Sequence, residues 1–235
     1  ISGNEQDKSP EISENDRKIA VAAANVFFDY IKQVSGQEMP VISLGIDSRP
    51  TGPAIADAMI RALIKKGALI QYSSVTSAPE IMAYSKKLDG FIYISASHNP
   101  IGHNGIKFGT NNGGVLNAQE NAELVNQLLI QLEDSEKVKQ SVETAYHCSS
   151  SALNEIYKSQ ESSKFNSLKA YDEFLSSVDD QNKQAALHDL TQSIKTHINS
   201  LASKDYTNLK INTPKFVLMF MPIEGAYQAA LSADP

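Results

Sequence analysis

The sequence predicts an α/β fold of three layers, in which helices cover both faces of a mostly parallel sheet, followed by a small mixed α/β fragment. Two observations predict the layered part. Short apolar runs alternate with stretches of helical periodicity over 13–132, and their spacing suits right-handed βαβ crossovers. The chain has 235 residues, 41% of them hydrophobic, which is enough for one large domain or two small ones.

The individual elements are indicated by their own signals. Ser13 and Asp16 resemble a capping box ahead of apolar residues at helical spacing, and Gly67 is typical of a helix C-terminus. The runs VISLGI and FIYIS are apolar enough for buried strands. The predicted order is a helix over 13–31, a strand over 41–46, a helix over 51–66, a strand over 68–72, a helix over 79–88, a strand over 91–95 and a helix over 118–132.

A long irregular segment follows the third predicted strand. Residues 97–114 are dense in Ser, His, Asn, Pro and Gly, and a short apolar stretch at 106–108 interrupts them. Long loops at the carboxyl ends of sheet strands are where binding and catalytic residues usually lie. The sequence therefore predicts a functional site in this loop.

Composition changes again after the last of these helices. Residues 134–163 are polar and rich in Ser, with too few periodic apolar positions for a domain interior. We therefore expect a first domain over 1–135, a polar linker over 136–166 and a fragment over 167–235. Within the fragment, the pattern predicts helices over 168–175 and 184–201, a strand over 216–221 and a closing helix over 223–231.

Charge and cysteine content restrict the classes of partner. The chain has 21 Lys and Arg against 27 Asp and Glu, a net charge of −6 and a pI near 5.4, which disfavours nucleic acid or an anionic membrane. A single cysteine, Cys148, cannot form an internal disulfide, and no targeting or membrane-spanning segment is visible. We expect a cytoplasmic protein with no membrane partner. Because the chain opens on Ile1, we also expect a piece of something longer.

The most informative stretch is SASHNP at 95–100, followed by NGIK at 104–107. A serine at the mouth of a strand, with His98 beside it and Lys107 ten residues later, has the ingredients of phosphoryl transfer. The hydroxyl oxygen can carry the group, neighbouring donors can hold its charge, and the lysine supplies a cation. The alternative is that Ser, Asn, Pro and Gly simply build a turn.

Taken together with GIDSR at 45–49, these motifs resemble the first domain of the α-D-phosphohexomutases. The resemblance implies that Ser97 is the phosphoserine, which exchanges its phosphoryl group with a hexose phosphate or bisphosphate and touches metal through that phosphate alone. It implies that His98 assists and that Lys107 is a general acid or base. Arg49 would brace the loop, with Asn99 and Asn104 as further support. The alternatives are a surface charge at a helix start for Arg49 and a solvated strand end for Lys107.

Other parts of that family's pattern are not found. The resemblance is to a four-domain enzyme whose second domain binds Mg²⁺ through a D-G-D-x-D-R loop, while the third selects the sugar and the fourth binds phosphate. Asp179 and Asp180 are the nearest acid pair and lack a third carboxylate, so we interpret them as solvated surface. Mg²⁺ is expected for the family, but its acidic loop is absent here. We therefore do not expect complete mutase turnover from this chain.

The last third resembles a different family. SLKAY at 167–171 and FVLMFMPIE at 216–224 are similar to the RmuC family of DNA recombination proteins. That family is regarded as having a nuclease-like core in which an Asp-x-Lys element precedes the SLxAY segment. Here the element is Ser162-Ser163-Lys164, where Ser162 cannot supply the metal-binding carboxylate, although Glu224 is a candidate to retain a role.

Three functions therefore stay open. The first is phosphotransfer of the phosphohexomutase type through Ser97, as an isomerase of the phosphoglucomutase or phosphomannomutase class. The second is an RmuC-like protein associated with DNA, which is the only interpretation with a nucleic-acid partner. The third is a fusion without catalytic activity.

Overall fold

The computed structural model describes residues 8–97 and 99–178. In these ranges the helices and strands are α1 (Glu14–Ser35), β1 (Val41–Ile46), α2 (Gly52–Lys66), β2 (Leu69–Val75), α3 (Ala78–Ser85), β3 (Gly90–Ile94), β4 (Ile106–Thr110), α4 (Ala118–Glu133), α5 (Ser135–Tyr146), α6 (Ser150–Lys158) and α7 (Gln160–Ser177). The predicted α/β class is confirmed. None of these helices is both long and apolar enough to cross a membrane.

The four strands form a single sheet in the order β2-β1-β3-β4. Strand β1 runs parallel to both β2 and β3, whereas β4 pairs with β3 in the antiparallel direction. The two parallel pairings follow from the helical connections α2 and α3, because each crossover returns the chain to the same end of the sheet. The edge strand β4 lies within the loop segment of the sequence analysis, which expected no more than a short apolar interruption there.

The buried side chains of the central strand β3 alternate between two core clusters, one on each face of the sheet. Ile92 and Ile94 of β3 belong to the large core shared with α1 and α2, while Phe91 and Tyr93 pack with Ile81 of α3. Successive side chains of a strand point to opposite faces of the sheet. Helices α1 and α2 therefore cover one face and α3 the other, which is the predicted three-layer arrangement.

The caps predicted from the sequence are present. The Ser13 hydroxyl accepts a hydrogen bond from the Asp16 amide at 3.1 Å, and the Asp16 carboxylate accepts one from the Ser13 amide at 3.3 Å, so the capping box of α1 is complete. Helix α2 ends at Gly67, whose φ of 93° lies in the left-handed region that glycine enters without steric cost.

The segment expected to be a polar linker, 136–166, is helical. It forms most of α5, all of α6 and the beginning of α7. Val138 of α5 is buried, and Ala145 and Leu153 join the core over α1 and α2. A few apolar side chains at the right helical positions are enough to bury one face of an otherwise polar helix, and the low average apolar content of the segment does not reveal them. The boundaries at 135 and 166 stay predictions.

The chain divides into two units, Ile1–Glu173 and Phe174–Pro235. The sheet and helices α1–α6 belong to the first unit. Helix α7 confirms the helix expected over 168–175. The elements expected over 184–201, 216–221 and 223–231 lie outside the described residues, as do Asp179, Asp180 and Glu224.

Candidate active site

The predicted site lies where β1 and β3 end side by side. The Asp47 amide, just after β1, donates to the Ile94 carbonyl at 2.9 Å. Residues 95–105, here called the serine loop, leave the end of β3 and return to β4. The Ser95 amide closes the loop by donating to the Gly105 carbonyl at 2.9 Å. Both sequence motifs of the site therefore share one edge of the sheet, as the parallel strand order requires.

Ser97 stands on the exposed side of the serine loop in an uncommon backbone conformation. Its φ is 54°, in the left-handed region that non-glycine residues rarely occupy. Its amide donates to the Ser95 hydroxyl at 3.2 Å. Its own hydroxyl oxygen accepts a hydrogen bond from the Lys107 ammonium at 2.7 Å. The Ser97 hydroxyl, a possible nucleophile, is therefore in direct contact with the Lys107 cation.

Arg49 ties the serine loop to the end of β1. Its side chain is 10% exposed, and its guanidinium donates to four main-chain carbonyls of the loop. These are Ser97 at 3.0 Å, Asn99 at 2.7 Å, Pro100 at 2.5 Å and His103 at 3.2 Å. The planar, permanently charged fork of arginine suits several acceptors at once. The alternative of an ordinary surface charge at a helix start does not fit this burial.

Asp47 orients that arginine. Its carboxylate accepts from Arg49 Nε at 3.1 Å and from the Arg49 amide at 3.0 Å. The pair is largely shielded from solvent, so it fixes the direction of the guanidinium more firmly than an exposed ion pair would. Asp47 belongs to the GIDSR motif, but the motif alone does not indicate a role for this residue.

The two asparagines of the prediction enter the site differently. Asn104 is buried; its side-chain amide donates to the Thr51 hydroxyl at 3.1 Å, and its side-chain oxygen accepts from the Gly105 amide at 2.9 Å. Asn99 is exposed and contributes main-chain groups, because its amide donates to the Ala96 carbonyl at 3.1 Å and its carbonyl accepts from Arg49. His98 lies outside the described residues.

Sequence reasoning missed Tyr93. Its ring centroid lies 5.6 Å from Lys107 Nζ, and its hydroxyl donates to the Thr76 carbonyl at 3.0 Å. Burial, with the nearby Asp47 carboxylate, raises the pKa of Tyr93 to about 12. The signal that could have found it is the pairing of β3 with β4, which places Tyr93 opposite Lys107. This pairing cannot be predicted when 106–108 is interpreted as part of a loop.

The described residues do not fit a Mg²⁺ site on their own. In 8–97 and 99–178, no group of three or more His, Cys, Asp or Glu side chains is placed to hold a metal ion. Beside the loop, the Asp47 carboxylate is bound to Arg49. The Ser97 hydroxyl offers a single oxygen ligand, whereas Mg²⁺ prefers about six.

Lys164, the lysine of the RmuC-like element, lies in a second polar cluster. Its ammonium contacts both carboxylate oxygens of the buried Glu80 at 2.8 and 2.9 Å. The Ser167 hydroxyl donates to the same carboxylate at 2.6 Å. This lysine is therefore held in an ion pair that joins α7 to α3.

Comparison with known proteins gives two family matches. Residues 4–134 match the model described as phosphoglucomutase/phosphomannomutase, alpha/beta/alpha domain I, which is more than half of the 235 residues. The chain belongs to the phosphoglucomutase/phosphomannomutase family. Residues 162–235 of this family member match the model of the RmuC family, as the sequence analysis expected.

The individual relatives also fall into these two families. The mutase-family chain is 36% identical over 98 residues to a phosphoglucosamine mutase of Staphylococcus epidermidis, covering 41% of this chain and 22% of the relative. It is 47% identical over 70 residues to a DNA recombination protein RmuC homolog of Haemophilus influenzae, covering 29% of this chain and 16% of that relative. The chain thus spans only about a fifth of the length of the mutase and about a sixth of the length of the RmuC homolog.

A solved structure from Thermus thermophilus, described as a putative phosphomannomutase, is similar over 48% of this mutase-family chain and 25% of its own chain, at 20% identity and a TM-score of 0.40.

Proposed function

We propose that Ser97 accepts a phosphoryl group from a hexose bisphosphate, which is one half of a phosphohexomutase reaction. The observation that carries the proposal is the 2.7 Å contact between Lys107 Nζ and the Ser97 hydroxyl oxygen on a loop fixed by Arg49. Family membership supports the substrate class, since a relative is named phosphoglucosamine mutase. A sugar phosphate is therefore the partner that we propose.

The half-reaction balances without a further reactant. The Ser97 oxygen forms a bond to the phosphorus of the bisphosphate, and the bond from that phosphorus to the sugar oxygen breaks. The proton of the serine hydroxyl leaves and a proton is gained by the departing sugar oxygen. Lys107 is the described group within hydrogen-bond distance of the serine oxygen, so it is the candidate to give a proton to the departing sugar oxygen, to take up the serine proton in its place, and to hold the charge of the transferred group.

Arg49 acts on the loop and not on the phosphate. Its donors are directed at four loop carbonyls and at Asp47. These contacts hold the Ser97 backbone in place before substrate arrives. Fixing a nucleophile in advance removes part of the entropy cost of reaching the transition state.

The test is transfer from a hexose 1,6-bisphosphate to the purified full chain. We expect the intact mass to rise by one phosphoryl group, and tandem mass spectrometry to map the group to Ser97. Ser97→Ala should take up none, and Lys107→Met should load roughly 100-fold more slowly.

Ser74→Ala is the matched control for this experiment. Ser74 shares the left-handed backbone, with a φ of 55°, but lies in β2 outside the serine loop, so its substitution should leave labelling unchanged. Absence of label on a folded chain, or label that persists in Ser97→Ala, would overturn the proposal.

A second candidate function rests on the RmuC match over 162–235. If this part acts, the chain binds duplex DNA, and fluorescence anisotropy should detect binding that weakens as salt rises from about 50 to 200 mM. We place it second because the chain carries a net charge of −6, Ser162 stands where a carboxylate is needed, and Lys164 is paired with Glu80. A folded chain that neither takes label nor binds DNA would favour the non-catalytic fusion.

A further inference from the structure

We propose that Tyr93 is a positioning residue whose ring holds the Lys107 ammonium beside the Ser97 hydroxyl through a cation–π contact. The inference rests on the proposed function of Ser97 for its purpose, but the contact itself can be tested apart from phosphotransfer. Neither the motifs of the sequence nor the family matches assign a role to this tyrosine.

The sheet register brings the two side chains together. Tyr93 and Lys107 are direct cross-strand partners in the antiparallel pair of β3 and β4. Side chains at opposing positions of such a pair share one face and lie close enough to interact. The Nζ atom lies 5.6 Å from the ring centroid, within the distance at which an aromatic face attracts a cation. The same Nζ also reaches the Ser97 hydroxyl.

The ring is fixed while the lysine is not. Tyr93 is 6% exposed, packs with Ile81 and Phe91, and is anchored at its far end by the hydrogen bond to the Thr76 carbonyl at 3.0 Å. Lysine has a flexible four-carbon stem. An anchored ring therefore limits where the ammonium can go, and the place that it favours is the one from which Nζ donates to the serine oxygen.

An aromatic ring beside Lys107 affects the ammonium differently from a carboxylate in the same place. A carboxylate beside Lys107 would accept its N–H groups and offset its charge, whereas a ring attracts the cation through its quadrupole and takes up no strong hydrogen bond. Within the described residues, Lys107 forms no ion pair, and the Asp47 carboxylate is committed to Arg49. The remaining donors of the ammonium are therefore available to phosphate oxygens.

The contact can be measured by NMR on the full chain carrying ¹³C-labelled lysine. A lysine over an aromatic face has its ε-CH₂ proton resonance shifted upfield by the ring current. We expect such a shift for Lys107, with the resonance assigned by its loss in Lys107→Met. Tyr93→Phe, which keeps the ring, should retain the shift, and Tyr93→Leu should abolish it.

A matched pair separates the cation–π contact from simple filling of space. Phenylalanine and a trifluorinated phenylalanine at position 93 have nearly the same shape, but fluorine withdraws the charge of the ring face. Both variants lack the hydroxyl that binds the Thr76 carbonyl, so this loss cancels between them, and we expect the fluorinated variant to load Ser97 about fivefold more slowly than Tyr93→Phe. A purely structural role predicts equal rates for the pair.

The outcomes distinguish the two proposals. An unshifted Lys107 resonance in the unmodified chain, or one that Tyr93→Leu leaves in place, overturns the role of Tyr93 whatever the loading rate. A shift that follows the ring in a chain that takes no phosphoryl group supports the positioning of Lys107 and overturns the proposed function of Ser97. Equal loading by phenylalanine and its fluorinated form overturns the cation–π contact as the cause.

Discussion

Ser97 is held in a conformation that its own side chain disfavours. A non-glycine residue in the left-handed region clashes with its neighbouring carbonyl and costs about 1 kcal/mol or more. The φ of 54° persists because the Ser97 carbonyl is bound by Arg49 and its amide by the Ser95 hydroxyl. Strain of this kind collects at functional loops, where it aims a side chain that a relaxed turn would not expose in the same way.

The strain predicts different effects for two substitutions that both remove the hydroxyl. Ser97→Gly removes the side chain that causes the clash, whereas Ser97→Ala keeps a Cβ in the left-handed region. Both lose the hydrogen bond from Lys107, so this loss cancels in the comparison. We expect Ser97→Gly to exceed Ser97→Ala in free energy of unfolding by about 1 kcal/mol, measured by urea denaturation. Equal stabilities, or a more stable alanine variant, would show that the loop is relaxed at this residue.

At this scale the sequence predicts those site residues that belong to contiguous motifs. Ser97, Arg49 and Lys107 occur in recognisable runs, and the structure brings them together, although their chemical roles stay predictions. Tyr93 and Asp47 could not be assigned functions, because one depends on the β3–β4 register and the other on the direction of an arginine. Both roles depend on three-dimensional contacts that a local sequence pattern does not show.

Helices α3 and α7 are joined by a buried polar cluster. Glu80 of α3 is buried and accepts from Lys164 and Ser167 of α7. Burial acts to raise the pKa of Glu80, but the hydrogen bonds from these two residues outweigh it, so the pKa lies below its ordinary value of 4.5. A buried carboxylate without such partners would be strongly destabilising, so the cluster specifies how α7 is seated on α3.

This lowered pKa gives the cluster a definite dependence on pH. A group whose pKa is lower in the folded state contributes stability that is present above its unfolded pKa and is lost as pH falls through the folded value. Glu80→Gln should therefore reduce the free energy of unfolding by roughly 1–3 kcal/mol at pH 7, and the difference from the unmodified chain should shrink below about pH 4.5. Urea denaturation at about pH 7 and at about pH 3.5 measures both values.

Glu173→Gln is the matched control for Glu80→Gln. Glu173 is also paired with a lysine, Lys87, but both side chains are about half exposed, and solvent and side-chain entropy cancel most of the benefit of such a pair. We expect little change in stability at either pH. If Glu173→Gln costs as much as Glu80→Gln, burial is not what makes the α3–α7 cluster stabilising.

At the scale of elements, prediction succeeds where a signal is local. The start of α1 and the end of α2 follow from capping residues, and β1 follows from a largely apolar run with the bounds expected. Strand β4 was not predicted, because two apolar residues around Lys107 in a polar segment do not form a strand by themselves. They become one by pairing with β3, the strand that precedes them in the chain.

At the scale of the molecule, the polar composition after 134 does not show which helices of this segment pack against the core. Helix α6 has few apolar residues, yet Leu153 reaches the core over α2 and the Tyr157 hydroxyl donates to Asp57 of α2 at 2.9 Å. Tyr157 also packs edge-on against Tyr72 of β2, with ring centroids 5.7 Å apart. A helix needs only one apolar stripe to be part of a core, and average composition does not reveal a stripe.

If α5 and α6 belong to the same cooperative unit as the sheet, a single cavity in α6 must weaken the whole unit. Leu153 is 9% exposed, and truncating a buried leucine to alanine costs about 2–4 kcal/mol. We therefore expect Leu153→Ala to lower the free energy of unfolding by that amount, and to raise amide exchange in β1 as well as in α6. Leu129→Ala on α4 is the control, since Leu129 is 56% exposed and its loss should change stability by about 0.5 kcal/mol or less. Increased exchange confined to α6, with β1 unaffected, would show that the helix opens independently of the sheet, as a linker would.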